Sequence, residues 1–186
     1  MTTDQIIDAV LEREGGGTYT DRGDDAGGPT RWGITQATLS GWRGHPVEPG
    51  EVAALTEAEA REIYRREYVE RPGFLRVTDD DLRALLVDMY VNHRPQTVWE
   101  CVQRALGGLV VDGVPGPKTW AALLAAEPRR LWVRLACERL DFYGRRISKD
   151  HTDADHDGVT DPAEQAAGHI HRTTQMIREF DAKHAA

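Results

Sequence analysis

Residues 2–35, TTDQIIDAVLEREGGGTYTDRGDDAGGPTRWGIT, join a helix-forming segment to a segment rich in glycine and aspartate. Apolar residues recur at helical spacing after a Thr2-x-x-Gln5 capping signal, which predicts a helix over residues 3–14. In residues 18–35, β-prone side chains stand between turn-forming glycines. We therefore predict a first helix followed by a small β-hairpin region.

The rest of the chain is predominantly helical in its pattern. With 186 residues, of which 40% are hydrophobic, the chain can bury one sizeable core, so we expect one compact globular body. Capping signals and helical periodicity predict further helices over residues 56–70, 79–92, 96–107, 117–126, 129–149 and 162–183. The predicted fold class is mainly α, a helical bundle with a small sheet near residues 18–35.

Cysteine usage and hydropathy exclude several classes of protein. Cys101 and Cys137 are the only cysteines, too few for a disulfide framework or a zinc site, and we expect both to be buried and reduced. The first residues lack a basic region before an apolar run, which predicts synthesis in the cytoplasm without a signal peptide. The net charge is -8, and we expect neither a nucleic-acid partner nor stable insertion into a membrane.

Residues 153–164, DADHDGVTDPAE, place five carboxylates around one glycine in the pattern of an EF-hand loop. Two carboxylates 4 Å apart repel by about 4 kcal/mol at an effective dielectric constant near 20, so only a divalent cation favours their convergence. The sequence predicts a Ca²⁺ site in a C-terminal helix-loop-helix. Its predicted ligands are Asp153, Asp155, Asp157, the backbone carbonyl of Val159, Asp161 and Glu164.

A second charged segment, residues 129–149, has seven cations and only two acids. Its net charge of +5 suits an anionic surface. A solvated helix face with ordinary ion pairs is the alternative that composition leaves open.

Glu14 closes the first predicted helix. The negative end of the helix dipole disfavours a negative charge there, which suits a carboxyl group that donates a proton. Asp21, Asp24 and Asp25 follow in a glycine-rich segment, so a second carboxylate can face Glu14, as glycoside hydrolysis usually requires. An exposed glutamate beside Asx turns is the alternative.

Four segments, REGG, DAGGPTRWGIT, DMYVNHRP and LGGLVVDGVPGPKTWAAL, resemble glycoside hydrolase family 108, the N-acetylmuramidases of phage endolysins and prophage lysis proteins. The resemblance covers roughly residues 4–147. It implies a lysozyme-like α+β fold with a catalytic part, residues 1–92. The helical part, residues 93–186, would then contain a presumed peptidoglycan-binding segment and the calcium loop.

The resemblance also implies roles for individual residues. Glu14 falls on the catalytic acid of the family, and Asp25 and Thr30 fall on the Asp and Thr of its DxGGxT motif. The order of Glu, Asp and Thr also resembles the phage-type lysozymes, in which the Asp and Thr hold an attacking water. The segment between Glu14 and Asp25 is longer than the family pattern, which leaves Asp21 and Asp24 open as the second carboxylate. For substrate binding we expect Asp21, Trp32 and Asn92 to contribute, with core packing as the alternative for the aromatic ring.

Together these features predict an endolysin that hydrolyses the β-1,4 bond between N-acetylmuramic acid and N-acetylglucosamine in peptidoglycan. Calcium is expected to support stability or activity rather than chemistry, because it is a poor activator of water. We expect a monomer that reaches the wall through a separate holin-like pore. Two alternatives stay open: a lytic transglycosylase, and a non-catalytic protein that binds the cell wall in a calcium-dependent way.

Overall fold

The computed structural model describes residues 1–21, 28–150 and 162–184. The chain divides into two compact units, Met1–Val91 and Asn92–Ala186, and each is described by itself. Helices and one small antiparallel sheet make up the described elements, which confirms the predicted mainly α, α+β fold. Within the described ranges, no helix has both the length and the apolar character needed to cross a bilayer.

The first helix, α1 (Thr3–Arg13), begins with the predicted capping box. The backbone N–H of Gln5 donates to the Thr2 hydroxyl at 3.3 Å, and the backbone N–H of Thr2 donates to the Gln5 side chain at 2.7 Å. These bonds satisfy amides that have no partner within the helix. The apolar face of α1 is buried through Ile6, Ile7, Val10 and Leu11.

Three two-residue strands form the sheet: β1 (Tyr19–Thr20), β2 (Thr30–Arg31) and β3 (Ile34–Thr35). They are antiparallel in the order β1-β2-β3, with Thr20 opposite Thr30 and Arg31 opposite Ile34. The turn between β2 and β3 has φ values of 55° at Trp32 and 72° at Gly33. Positive φ at both central residues is the geometry of a type I′ turn, which matches the twist of a hairpin.

The remaining elements of the first unit follow the sheet. They are α2 (Gln36–Arg43), α3 (Pro49–Ala53), α4 (Glu57–Ile63), a π-helical segment (Tyr64–Glu70), a 3₁₀ turn (Phe74–Arg76) and α5 (Asp80–Asn92). The predicted helix over residues 56–70 is therefore present, but its second half is π-helical. Asp79 caps α5, since the backbone N–H of Leu82 donates to its carboxylate at 2.8 Å.

The second unit contains α6 (Pro95–Leu106), α7 (Pro117–Ala125), α8 (Pro128–Asp150) and α9 (Pro162–His184). Aromatic pairs join α8 to α9: Trp132 stacks on Phe180 with ring centroids 4.0 Å apart, and Tyr143 stacks on His169 at 5.1 Å. The expectation that both cysteines are buried is wrong for Cys137, which is exposed on α8. Helical periodicity does not separate the buried face of so polar a helix from its solvent face.

Gln103 organises the loop between α6 and α7. Its side chain is 2% exposed and donates to the Asp112 carboxylate at 2.7 Å and to the Val114 carbonyl at 3.1 Å. Its carbonyl oxygen accepts the backbone N–H groups of Asp112 and Gly113 at 3.0 and 2.9 Å. One side-chain amide thus forms the hydrogen bonds that three backbone groups of this turn would otherwise lack.

Replacing Gln103 with alanine is expected to lower the free energy of unfolding by about 2 kcal/mol, because the substitution leaves several partially buried polar groups without partners. Chemical denaturation with urea measures this change. Gln175→Ala is the matched control, because Gln175 is exposed on α9 and its side chain makes one hydrogen bond to the described residues, a donation to Glu179 at 3.2 Å. An equal loss of stability in the two variants would contradict the role given to Gln103.

Candidate active site

Glu14 lies where α1 ends and is half-buried. Its backbone N–H donates to the carbonyl of Val10 at 2.9 Å, which closes the last helical turn. Gly15, Gly16 and Gly17 follow with φ values of 96°, 55° and 84°. Because side chains disfavour positive φ, the glycine run ends the helix at this point and turns the chain toward β1.

The backbone of Gly33 packs directly against the side chain of Glu14. A Cβ atom at position 33 would lie 2.7 Å from the Cβ of Glu14 and 2.5 Å from the hydroxyl oxygen of Tyr64. That hydroxyl donates to the carbonyl of Trp32 at 3.0 Å, and Tyr64 is 1% exposed. The buried tyrosine therefore holds the β2–β3 turn in the position from which it contacts Glu14.

Tyr68 is a second tyrosine of this site that sequence reasoning missed. Its ring centroid lies 5.2 Å from that of Tyr64. Burial raises the pKa of the Tyr68 phenol, and the negative charges of Glu67 and Glu14 raise it further, while a hydrogen bond with Thr38 opposes the shift. The Tyr68 phenol thus stays protonated, and its pKa depends on the charge of Glu14.

Both tyrosines belong to the π-helical segment that begins at Tyr64. Such segments are rare and occur frequently at functional sites. The spacing of the two tyrosines, four residues apart, was the sequence signal available, since residues at that spacing share a helix face. That spacing alone does not show which element the shared face meets.

Trp32 covers the glycine turn that follows Glu14. A Cβ atom at position 17 would lie 2.5 Å from the indole ring, so only glycine fits beneath it. The indole N–H is buried and has no hydrogen-bond partner among residues 1–21, 28–150 and 162–184. The Arg31 guanidinium donates to the Gly17 carbonyl at 3.1 Å and binds the same turn from β2. The predicted contact of Trp32 with a sugar stays a prediction.

The structure places two other predicted site residues at one end of the sheet. Thr30 lies in β2, and its hydroxyl donates to the carbonyl of Gly28 at 3.0 Å. Asp21 directly follows β1 and is exposed, and its carboxylate accepts the Tyr19 hydroxyl at 3.2 Å. Since Thr20 pairs with Thr30, Asp21 and Thr30 share one end of this strand pair. Asp24 and Asp25 lie outside the described residues, so the choice of second carboxylate stays a prediction.

A buried carboxylate on α5 contacts the residue that precedes Glu14. Asp88 is 2% exposed, and its carboxylate lies 3.5 Å from the guanidinium of Arg13. A buried carboxylate needs a positive or hydrogen-bonding partner to keep its charge. This ion pair therefore ties the end of α1 to α5. Sequence reasoning identified the DMYVNHRP segment but not this aspartate.

Asn92 is the last residue of α5 and the first residue of the second unit. Its carboxamide oxygen accepts a hydrogen bond from Arg172 of α9 at 2.6 Å. The adjacent His93 hydrogen-bonds the Tyr143 hydroxyl at 2.7 Å. These contacts show what Asn92 and His93 do within the second unit. The expected role of Asn92 in substrate binding stays a prediction.

The predicted Ca²⁺ loop lies outside the residues that the structure describes. Asp153, Asp155, Asp157, Val159 and Asp161 are not described, and neither is the side chain of Glu164. The helices on either side of residues 151–161 are α8 and α9. In the part of the chain that the structure does describe, no group of three or more His, Cys, Asp or Glu side chains is placed to hold a metal ion.

Comparison with known proteins gives two matches along the sequence. Residues 7–93 match the family described as Glycosyl hydrolase 108, and residues 98–171 match the family described as Predicted Peptidoglycan domain. Among solved structures, that of Brucella abortus SagA is similar with a TM-score of 0.67 and 27% sequence identity. The similarity covers 93% of this chain and 94% of that one. No curated protein matches the sequence significantly.

Replacing Gly33 with alanine is expected to displace the side chain of Glu14 and slow digestion of purified peptidoglycan. The added methyl group meets both Glu14 and Tyr64, and a positive φ costs alanine about 1–3 kcal/mol in addition. Turbidity clearing and thermal unfolding measure the two effects.

Gly41→Ala is the matched control for this substitution. Gly41 lies inside α2 with open space around its Cα, so alanine there is expected to raise the free energy of unfolding by about 0.5–1 kcal/mol. Full activity in the Gly33→Ala variant would contradict the constraint placed on Glu14.

Proposed function

We propose, on the premise that this chain is a glycoside hydrolase with a glycosyl hydrolase 108 domain at residues 7–93, that Glu14 is its proton donor. The bond cut is the β-1,4 linkage between N-acetylmuramic acid and N-acetylglucosamine. The observation that carries the proposal is the fixed position of the Glu14 side chain against the Gly33 turn. The match of residues 98–171 to a predicted peptidoglycan domain supports peptidoglycan as the substrate.

In the proposed reaction, the carboxyl group of Glu14 gives its proton to the glycosidic oxygen as the bond from that oxygen to C1 of muramic acid breaks. N-acetylglucosamine leaves with a free 4-hydroxyl group. A water molecule attacks C1, and a second carboxylate takes up the proton that the water loses. The product is a reducing muramic acid end. A water held between two carboxylates inverts the configuration at C1.

Asp25 and Thr30 are proposed to hold the attacking water, with Asp21 and Asp24 as alternatives for the carboxylate. The position of Thr30 beside the end of β1 supports this assignment, because the chain between β1 and β2 carries all three aspartates. The hydroxyl of Thr30 donates to the carbonyl of Gly28, which leaves its oxygen lone pairs available to accept a hydrogen bond from the attacking water.

The rigid surroundings of Glu14 support its role as a positioned acid. The ion pair of Arg13 with Asp88 holds the end of α1, and Tyr64 holds the turn that Glu14 contacts. General acid catalysis depends on a donor that is already oriented toward the leaving oxygen. Tyr68 stays protonated beside Glu14 and adds no competing negative charge.

We further propose that residues 153–164 bind Ca²⁺ and that the ion stabilises the second unit. The six ligands predicted from the sequence would surround the ion, which supplies structural rather than catalytic chemistry. The loop connects α8 and α9, whose aromatic pairs bring the two helices together. An endolysin of this kind is less stable at the low calcium of the cytoplasm. It gains stability after release through a holin-like pore to the cell wall.

Glu14→Gln is expected to reduce peptidoglycan hydrolysis by at least about 100-fold, because an amide has no proton to donate. Glu12→Gln is the matched control, since Glu12 is exposed on α1 and two residues from Glu14. Mass spectrometry of the released muropeptides measures both the rate and the product. Reducing muramic acid ends are expected from the active enzyme.

Two outcomes of this experiment contradict the proposal. Unchanged digestion by the Glu14→Gln variant would remove the proposed proton donor. Release of 1,6-anhydro muramic ends would indicate a lytic transglycosylase, which also uses one glutamate but no attacking water.

Addition of Ca²⁺ to chelator-treated protein is expected to raise the free energy of unfolding by about 2.7 kcal/mol at a concentration 100 times the dissociation constant. Thermal unfolding over a Ca²⁺ titration measures the shift. Asp153→Asn combined with Asp155→Asn is expected to abolish it. Asp141→Asn on α8 is the control, because Asp141 is exposed and pairs with Arg145. A wild-type protein that melts identically with and without chelator would disprove the calcium site.

A further inference from the structure

The second unit contains a cavity of about 250 Å³ at the N-terminal end of α8. We call it the α8 pocket. Apolar atoms form most of its wall, and three charged residues reach it from the solvent side. The lining residues that matter for its chemistry are Ala105, Leu106, Leu131, Glu127, Arg130 and Arg134.

The carboxylate of Glu127 is already bonded to its own helix. It accepts the backbone N–H groups of Arg129 and Arg130 at 3.0 and 2.7 Å. Amides at the start of a helix carry partial positive charge and bind a carboxylate well. Glu127 therefore closes the N-terminus of α8, and its oxygens are turned to the helix rather than to the two arginines.

The two arginines leave the α8 pocket with an excess of hydrogen-bond donors. Arg134 donates through one nitrogen to the carbonyl of Ala105 at 3.3 Å, which fixes its guanidinium beside the apolar wall. The side chain of Arg130 makes no hydrogen bond or ion pair with any residue in the described ranges; its backbone N–H is bonded to Glu127. Each guanidinium has five N–H donors, and Arg134 uses one of them in its bond to Ala105. The remaining donors favour an anionic ligand.

The size of the pocket limits what it can hold. Pockets for drug-sized ligands have volumes of about 300–1,000 Å³, and the α8 pocket is smaller than these. It therefore suits the end of a longer chain rather than a whole disaccharide. An apolar wall formed by Leu106 and Leu131 favours a small aliphatic group beside the anion.

We propose that the α8 pocket binds the terminal carboxylate of a peptidoglycan stem peptide. The guanidinium groups of Arg130 and Arg134 bind the carboxylate, since their planar donor pairs match its two oxygens. The methyl group of a terminal alanine packs against Leu131. All lining residues fall within the region that matches a predicted peptidoglycan domain.

This inference rests on peptidoglycan being the substrate, and it adds an attachment point in the second unit that makes no contribution to the chemistry at Glu14. The glycan strand supplies the bond that is cut, and the stem peptide supplies the anion. The net charge of +5 over residues 129–149 gives the same segment a long-range attraction for an acidic wall.

Calorimetric titration of the full chain with a synthetic stem peptide that ends in D-alanine tests the proposal. The Glu14→Gln background prevents hydrolysis in parallel pull-downs with purified sacculi. The combined Arg130→Gln and Arg134→Gln variant is expected to bind the peptide at least about tenfold more weakly, as expected for loss of charge-assisted hydrogen bonds. The parent protein, which keeps both arginines, is expected to bind a peptide with an amidated C-terminus more weakly than the acid peptide by the same factor.

Arg104→Gln is the matched control, because Arg104 is a surface arginine of α6 that pairs with Glu100 at 3.1 Å and does not line the pocket. Its peptide affinity is expected to equal that of the parent. Thermal unfolding of all variants verifies that they fold. The combined Arg130→Lys and Arg134→Lys variant keeps the charges and is expected to retain part of the affinity if the pocket is intact.

Equal binding of the acid and amide peptides would overturn the proposal, as would equal binding by parent and double glutamine variant. Inorganic phosphate that binds the protein as tightly as the peptide does and displaces the peptide would also overturn the proposal, because it would indicate a general anion site. Failure here leaves the loss of hydrolysis in Glu14→Gln untouched. Conversely, hydrolysis by the Glu14→Gln variant would contradict the proposed mechanism. The peptide titration would still test the α8 pocket independently.

Discussion

The contact between the backbone of Gly33 and the side chain of Glu14 is the constraint on which the candidate active site depends. The space between Glu14 and the Tyr64 hydroxyl is too small for any side chain at position 33. Three elements must therefore be in place together: the end of α1, the β2–β3 turn and the start of the π-helical segment. Close packing converts this local contact into a fixed direction for one carboxyl group.

Around that contact, each element is held by an interaction of its own. The glycine run after Glu14 allows the chain to turn beneath Trp32, and the ion pair of Arg13 with Asp88 joins α1 to α5. The hydroxyl of Tyr64 holds the turn through the Trp32 carbonyl. A buried polar group that lacks a partner is costly, so these pairings select one arrangement over others.

The second unit combines a helical scaffold with polar groups in defined positions. Stacked aromatic rings pair α8 with α9, and Gln103 orders the loop between α6 and α7. At the start of α8, Glu127 satisfies the helix amides and leaves Arg130 and Arg134 beside an apolar wall. This division fits the proposed function, in which Glu14 of the first unit is the acid and the two arginines of the second unit bind the stem peptide.

The sequence by itself determined the features that depend on near neighbours. Caps at Thr2 and Asp79, the helix end at Glu14 and the helical spans through the second unit follow from interactions within a few residues, and the structure has them nearly at the predicted bounds. Only the tertiary structure decided that Gly33, Tyr64 and Asp88 surround the end of α1 and that Cys137 is exposed. Those contacts join residues 19 to 75 positions apart, and their energy depends on packing between elements, which no local pattern of residues specifies.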